Sequence, residues 1–284
     1  VIKPEIDFAA DNEPKGDVLH EHGSKNLREF IKNGKLIQDE NCCFYIYQIK
    51  MGDHTQAGVM VAASIEEYNK GLIKKHEFTR PDKENDRTRH IEITNANTGP
   101  VFLTFRNDGQ FQNAISKIIT QSPDISFTAD DKTIHTLWKT DSPDQLRLLI
   151  NYFNSIKALY IADGHHRAAS ASRVQKIKQR SNSNHNGSEP YNYFLSVIFP
   201  HDEMQILDYN RVVKDMNGLT EDQLIESIKS NLLLTPNPSS LTPVSSHTFS
   251  MYLNEKWYRL EAKEHIISDD PVEGLDASIL QNYL

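Results

Sequence analysis

The sequence predicts an α+β fold, a mixed sheet with flanking helices. Three observations predict it. Aromatic and β-branched hairpin patterns stand near both ends, at 42–63 and 248–262. Segments with helical spacing lie between them, and strands and helices follow one another in mixed order rather than in a regular βαβ alternation. The chain has 284 residues, 38% hydrophobic and 25% charged, which suffices for one large or two small domains with a buried core.

The elements follow in order. Residues 18–32 carry Leu19, Leu27, Phe30 and Ile31 at helical spacing, and Gly34 is a stop. Residues 42–51 read as a strand, Gly-Asp-His-Thr as a turn, and 56–63 as the returning strand. Ser64 with Glu67 forms a capping box that opens a helix toward Leu72. Thr79-Arg80-Pro81-Asp82 starts another helix, with proline in its first turn. A strand is predicted at 101–105, a helix at 110–120 and a strand at 134–139. Asp141-Ser142-Pro143 opens a helix that runs to about Asn154. The apolar run 158–162 is brief and ends at Asp-Gly, so it predicts a buried strand. Residues 166–179 then read as helix, 181–190 as a mobile polar loop and 191–199 as a strand. Asn217-Gly218 marks a turn, Thr220 to Gln223 caps a helix, and 236–243 reads as a linker. Residues 248–253 and 256–262 form the last hairpin, across Asn254-Glu255, and 276–284 is helical. Trp138 and Trp257 are expected in the core. Two domains are expected, 1–215 and 216–284. The chain starts at Val1 and stops inside a helical pattern, so a longer natural protein is expected.

Net charge is −8, from 31 Lys and Arg against 39 Asp and Glu, which offers no basic stripe for a nucleic-acid duplex. Cys42 and Cys43 are adjacent, and neighbouring strand residues point to opposite faces, so no mutual disulfide or shared metal is expected. Two cysteines exclude a Cys₄ zinc site, and their scarcity fits a reducing, cytoplasmic setting. No apolar run reaches the ~18–20 residues a membrane span needs. P-loop, Gly-x-Gly-x-x-Gly and Gly-x-Ser-x-Gly motifs are all missing.

The sharpest feature is Asp163-Gly164-His165-His166-Arg167, where an apolar strand ends and a helix begins. The free N–H groups and positive dipole end of a helix start bind phosphate. Arg167 adds a fork that matches phosphate oxygens, and Asp163 can hold Mg²⁺ or orient a histidine. A plain Asp cap with surface histidines would not need four functional side chains in five residues. Glu77, just ahead of the Thr79 helix start, reads equally as a general base or as part of an exposed charged turn. Arg211 and Lys214, at i and i+3, can hold an anionic group or form surface ion pairs. Asn97-Thr98-Gly99-Pro100 is assigned to a structural turn.

Four segments together resemble one family, known as domain of unknown function ten-fifteen. They are Lys75-His76-Glu77-Phe78-Thr79-Arg80, Asn97-Thr98-Gly99-Pro100, Tyr160 to Arg167, and Asp208-Tyr209-Asn210-Arg211-Val212-Val213-Lys214. The resemblance covers nearly the whole chain, in order. Within it, the His76-Glu77 pair and the Asp-Gly-His-His-Arg segment resemble archaeal free-serine kinases of ParB/sulfiredoxin-like fold. Those enzymes phosphorylate L-serine to O-phospho-L-serine, a cysteine precursor. The 86 positions between Glu77 and Asp163 exceed the spacing in the short archaeal enzymes and imply an insertion.

This resemblance implies a ParB/sulfiredoxin-like core and a kinase that uses ATP or ADP with Mg²⁺ held by Asp163. It implies catalytic roles for Glu77, Asp163 and His166. Gly164, His165, Arg167, Arg211 and Lys214 would bind nucleotide or phosphate, and His76, Thr79 and Arg80 would bind substrate. A ParB-like nucleotide switch without metabolite turnover is the second expectation. A metal-dependent hydrolase using His165, His166 and Asp163 ranks last, because successive side chains at a helix start diverge by about 100°.

Overall fold

A computed structural model describes residues 1–9, 14, 16–208, 210–239, 242–243 and 245–284. The chain divides into two units, Val1–Gln205 and Ile206–Leu284, where sequence reading placed a boundary after residue 215.

The first unit begins with a short 3₁₀ turn, Pro4–Asp7, and helix α1 (Asp17–Lys32). Strands β1 (Phe44–Met51) and β2 (His54–Ser64) form the predicted hairpin, with Met51 opposite His54. Cys42 and Cys43 precede it and are free thiols. Helix α2 (Ile65–Asn69) starts where Ser64 Oγ accepts the Glu67 N–H. Then come β3 (Ile73–Lys74), α3 (Pro81–Thr94), β4 (Val101–Phe105), α4 (Phe111–Ile119), β5 (Ile125–Thr128), β6 (Ile134–Thr140) and α5 (Pro143–Ser155). Strand β7 (Leu159–Asp163), α6 (His165–Ser181) and β8 (Tyr193–Pro200) complete the unit.

These strands make one mixed sheet in the order β3-β7-β4-β8-β2-β1-β6-β5. Its neighbours are antiparallel except for the β3–β7 and β4–β8 pairs, which are parallel. The fold is therefore α+β, as the pattern predicts.

The core lies where Ile46, Val59, Leu103 and Phe105 of the sheet meet Phe111 and Ile115 of α4 and Leu149 of α5, all fully buried. Phe105 packs edge-to-face on Phe111, Tyr152 and Phe153 at 5.3–5.9 Å. Trp138 is buried and donates its indole N–H to the Gln121 carbonyl at 2.9 Å. Helix α1 is fastened to α3 by the Arg89–Asp17 fork, at 2.7 and 2.8 Å, and by an edge-to-face His20–His90 pair at 5.5 Å. His90 also shares a 3.2 Å hydrogen bond with the Thr98 hydroxyl.

One expectation needs correction in this unit. The run 158–162 is not buried throughout: Ile161 is, but Tyr160, on the opposite face of β7, is exposed, as is Asp163 at the end of the strand. Residues 182–189 form a loop, as expected, in which Glu189 accepts the N–H groups of Asn186 and Gly187.

The second unit contains α7 (Glu221–Asn231), β9 (Leu232–Asn237), β10 (Thr248–Leu253), β11 (Lys256–Ala262) and α8 (Asp276–Tyr283). Its antiparallel sheet runs β10-β11-β9 over a core of Ile228, Leu232, Phe249, Leu260 and Ile279. Asn254 and Glu255 both take positive φ, as a two-residue hairpin requires. Part of the expected linker at 236–243 is strand instead: Pro236 stands opposite Tyr258, and a proline on the outer strand of a sheet forfeits no inner ladder bond. Ser240 and Leu241 lie outside the described residues. Trp257, expected in the core, is half-buried against Tyr252.

Thr220 caps α7 with both bonds of a capping box. Thr220→Ala should destabilise this unit by about 0.5–2 kcal/mol, read as a lower urea midpoint. No change in midpoint would show that the box is energetically idle. No helix among the described residues is long and apolar enough to cross a membrane.

Candidate active site at the end of strand β7

Sheet pairing brings three distant segments to one place. Strand β3 runs parallel to β7, with Ile73 opposite Leu159 and Lys74 opposite Tyr160. The segments leaving both strands therefore emerge side by side. Strand β4 runs antiparallel to β7 with Phe102 opposite Asp163, so the segment Asn97-Thr98-Gly99-Pro100 enters at the same end.

The loop 75–80 rests on the first two residues of α6. His165 is buried, and its Nε2 accepts the His76 backbone N–H at 3.4 Å. That bond leaves the ring proton on Nδ1, which lies 3.4 Å from Glu77 Oε2. Burial lowers the His165 pKa, and the neighbouring His76 ring, 4.4 Å away and edge-on, lowers it further. A neutral imidazole thus supports the loop, and its Nδ1 lies beside the Glu77 carboxylate, which is 58% exposed. His166 does the same one residue on: its Nε2 accepts the Arg80 N–H at 3.1 Å.

Thr79 donates its hydroxyl to Glu84 at 2.7 Å, and Glu84 is paired with Arg173 of α6 at 3.0 Å. The Thr79 bond is the main reason that the Glu84 carboxyl sits below its usual range, with Arg173 assisting. Arg80 turns its guanidinium onto Asp82. Between these anchored residues Phe78 is 99% exposed.

On the other side of the helix start, Arg167 donates to Asp163 Oδ2 at 2.6 Å and to the Pro100 carbonyl. Its guanidinium covers Gly164, which has φ +100°, and a Cβ there would lie 3.0 Å from Nε and Nη2. Gly164→Ala would therefore force both an unfavourable backbone and a shift of the guanidinium off Asp163. We expect a loss of about 1–3 kcal/mol, seen as a lower melting temperature. An unchanged melting temperature would mean that the turn is not under this constraint.

Glu77, His76, His165, His166, Asp163, Gly164, Arg167, Thr79 and Arg80 thus converge at one end of the sheet. Their tasks divide in a way that composition does not reveal. His165 lies under the loop, and Thr79 and Arg80 make local contacts. Arg211 and Lys214 belong to the second unit and are exposed, and Arg211 donates to Gln281 at 3.3 Å. Tyr209 lies outside the described residues.

Sequence reading missed Glu84 and the Pro100 carbonyl. A backbone acceptor leaves no trace in residue type, whereas Glu84, five residues beyond Thr79, stands in the first turn of α3, where acidic residues are expected anyway.

Among the described residues no group of three or more His, Cys, Asp and Glu side chains is placed to hold a metal ion. Mg²⁺ needs less from a protein, commonly one or two carboxylates with phosphates and water completing its shell. Asp163 fits that need: its carboxylate is 76% exposed and only one oxygen is engaged by Arg167.

A family model described as protein of unknown function, DUF1015, matches residues 1–278. No curated protein and no solved structure matches the chain significantly. The match takes in every segment that meets at the end of β7, and the chain belongs to the DUF1015 family.

Proposed function

We propose that this chain is a cytoplasmic small-molecule kinase that transfers a phosphoryl group from ATP or ADP to free L-serine, with Mg²⁺, on a ParB/sulfiredoxin-like core with insertions. The observation that carries the reading is the pairing of an exposed carboxylate, Glu77, with a buried neutral histidine, His165, beside a helix start that holds Asp163 and Arg167.

The chemistry follows from that arrangement. Phosphoryl transfer needs an aligned hydroxyl, a proton acceptor and compensation of phosphate charge. Glu77 accepts the serine hydroxyl proton as the hydroxyl oxygen bonds to the terminal phosphorus. The bond from that phosphorus to the bridging oxygen breaks, and the shortened nucleotide leaves with that electron pair. The products are O-phospho-L-serine and the nucleotide less one phosphate. His165 keeps Glu77 in place, and the first N–H groups of α6 with Arg167 receive phosphate oxygens. Mg²⁺ on Asp163 would supply further charge neutralisation. His166 holds the Arg80 end of the loop, and His76 and Arg80 stand where the serine carboxylate would arrive. Neither a nucleic acid nor a membrane is needed.

Phosphorus NMR with Mg²⁺, L-serine and either ATP or ADP tests the reading. The expected result is a phosphoserine signal with one donor, lost in Asp163→Ala. Nucleotide binding without any phosphomonoester from either donor would overturn it in favour of a nucleotide switch.

A further inference from the structure

Beside helix α6 lies a cavity of about 370 Å³ that the reaction just described does not use. Its lining includes Ile91, Asn97, Ala171, Val174, Lys178 and Tyr193. We infer that this cavity receives the nucleoside end of the phosphate donor, an inference that rests on the kinase reading.

Position is the first argument. Arg167, Ala171, Val174 and Lys178 stand at i, i+4, i+7 and i+11 on α6, one stripe of the helix. One turn from Ala171, about 6 Å along the axis, the same stripe carries the arginine that clasps Asp163. The wall continues as well. Asn97 lines the cavity, and three residues later the Pro100 carbonyl accepts from Arg167. A molecule with phosphates at the start of α6 and a ring system along this stripe would touch both places at once.

Chemistry is the second argument. Ile91, Ala171 and Val174 offer apolar surface for a planar ring, and Tyr193 and Tyr191 add aromatic faces. The Tyr191 hydroxyl is fixed by Asn182 and His185, both at 2.9 Å, which keeps that side of the cavity preformed. Asn97 contributes a side-chain amide, held by its long bond to the Tyr193 carbonyl at 3.5 Å with one N–H and the oxygen to spare, and Lys178, hydrogen-bonded to Asn95, places a cation at the far end. The volume falls within the range of roughly 300–1,000 Å³ typical of small-ligand sites and far exceeds what a molecule of serine's size fills.

Calorimetric titration of the full chain with ATP and with inorganic tripolyphosphate, in the presence of Mg²⁺, tests this. Wild type should bind ATP roughly tenfold or more tightly than tripolyphosphate, the scale on which an aromatic-lined base site contributes. Ala96→Trp, which intrudes from the lining loop, should remove that advantage and leave tripolyphosphate binding unchanged. Lys178→Ala should weaken ATP several-fold, again without effect on tripolyphosphate. Equal affinity of wild type for both probes, or ATP binding indifferent to both variants, would overturn the cavity assignment and leave the phosphate site standing. Absence of binding of either probe to wild type would bring down the kinase reading, and the cavity assignment with it. Should Ala96→Trp lose tripolyphosphate binding too, and so report misfolding, the wild-type comparison and Lys178→Ala decide the matter.

Discussion

On the proposed kinase reading, Glu77→Gln is expected to slow serine phosphorylation by roughly 10²–10⁴-fold, the usual cost of losing a general base. The substitution keeps shape and removes only the proton acceptor. The loop is seated on α6 by the backbone N–H groups of His76 and Arg80, which the substitution leaves in place. Glu77 is exposed, and its replacement should leave folding stability almost unchanged. The two readouts therefore separate chemistry from structure: turnover falls, while the melting temperature and the affinity for nucleotide stay put. Turnover close to wild type would eliminate Glu77 as the base. A parallel loss of turnover and stability would recast it as a structural strut.

The second large effect is a loss of stability in mild acid. Burial, aided by the neighbouring His20 and Arg87, pushes His90 down to about 4, and Asp86 opposes this only in part. An unfolded chain protonates the same imidazole near 6.5. Between these values the unfolded state holds more protons than the folded one, so stability falls as pH falls. The contribution is intact above about pH 6.5 and is spent by about pH 4. At 1.36 kcal/mol for each pH unit the loss approaches about 3 kcal/mol. His165, lowered for the same reason, adds in the same direction. Carboxylates held low by partners, such as Asp17 beside Arg89, begin to lose their stabilisation only near and below the bottom of this window. Urea denaturation at several pH values from 7 to 4 measures the slope, and His90→Gln should flatten it. An equally steep slope in the variant would show that His90 does not drive the effect.

Much of the architecture can be read from residue pattern because its causes are local. Ser64 with Glu67, Pro81, Asn254-Glu255 and Thr220 with Gln223 each act within a few residues, and each marks an element boundary in the structure. The elements missed are those stabilised from a distance. Strand β3 has two residues and exists because β7 accepts it. Strand β5 is exposed along its length and is held by β6, so it shows no alternation. Strand β9 carries Pro236 near its end, and a proline there argues for a linker until its place at the sheet margin is known. The site divides in the same way. Asp163 to Arg167 stands out by its density of functional groups, whereas Glu77 cannot be told from a charged turn until the sheet sets it against His165. Nor does residue type distinguish the two histidines. Only the backbone donors at His76 and Arg80 show that both rings serve as acceptors for the loop.

The brevity of β3 also has a bearing on the order of folding. Its partner in β7 lies 86 positions further along the chain, and closing so long a loop costs conformational entropy that two residues of ladder hardly repay. The β1–β2 hairpin and the helices can form from near neighbours, and fast. The union of His76-Glu77 with α6 must wait until most of the sheet is in place. On dilution from denaturant, helical signal should return before turnover does. Any partly folded species with native-like secondary structure would lack the juxtaposition on which the proposed phosphorylation depends.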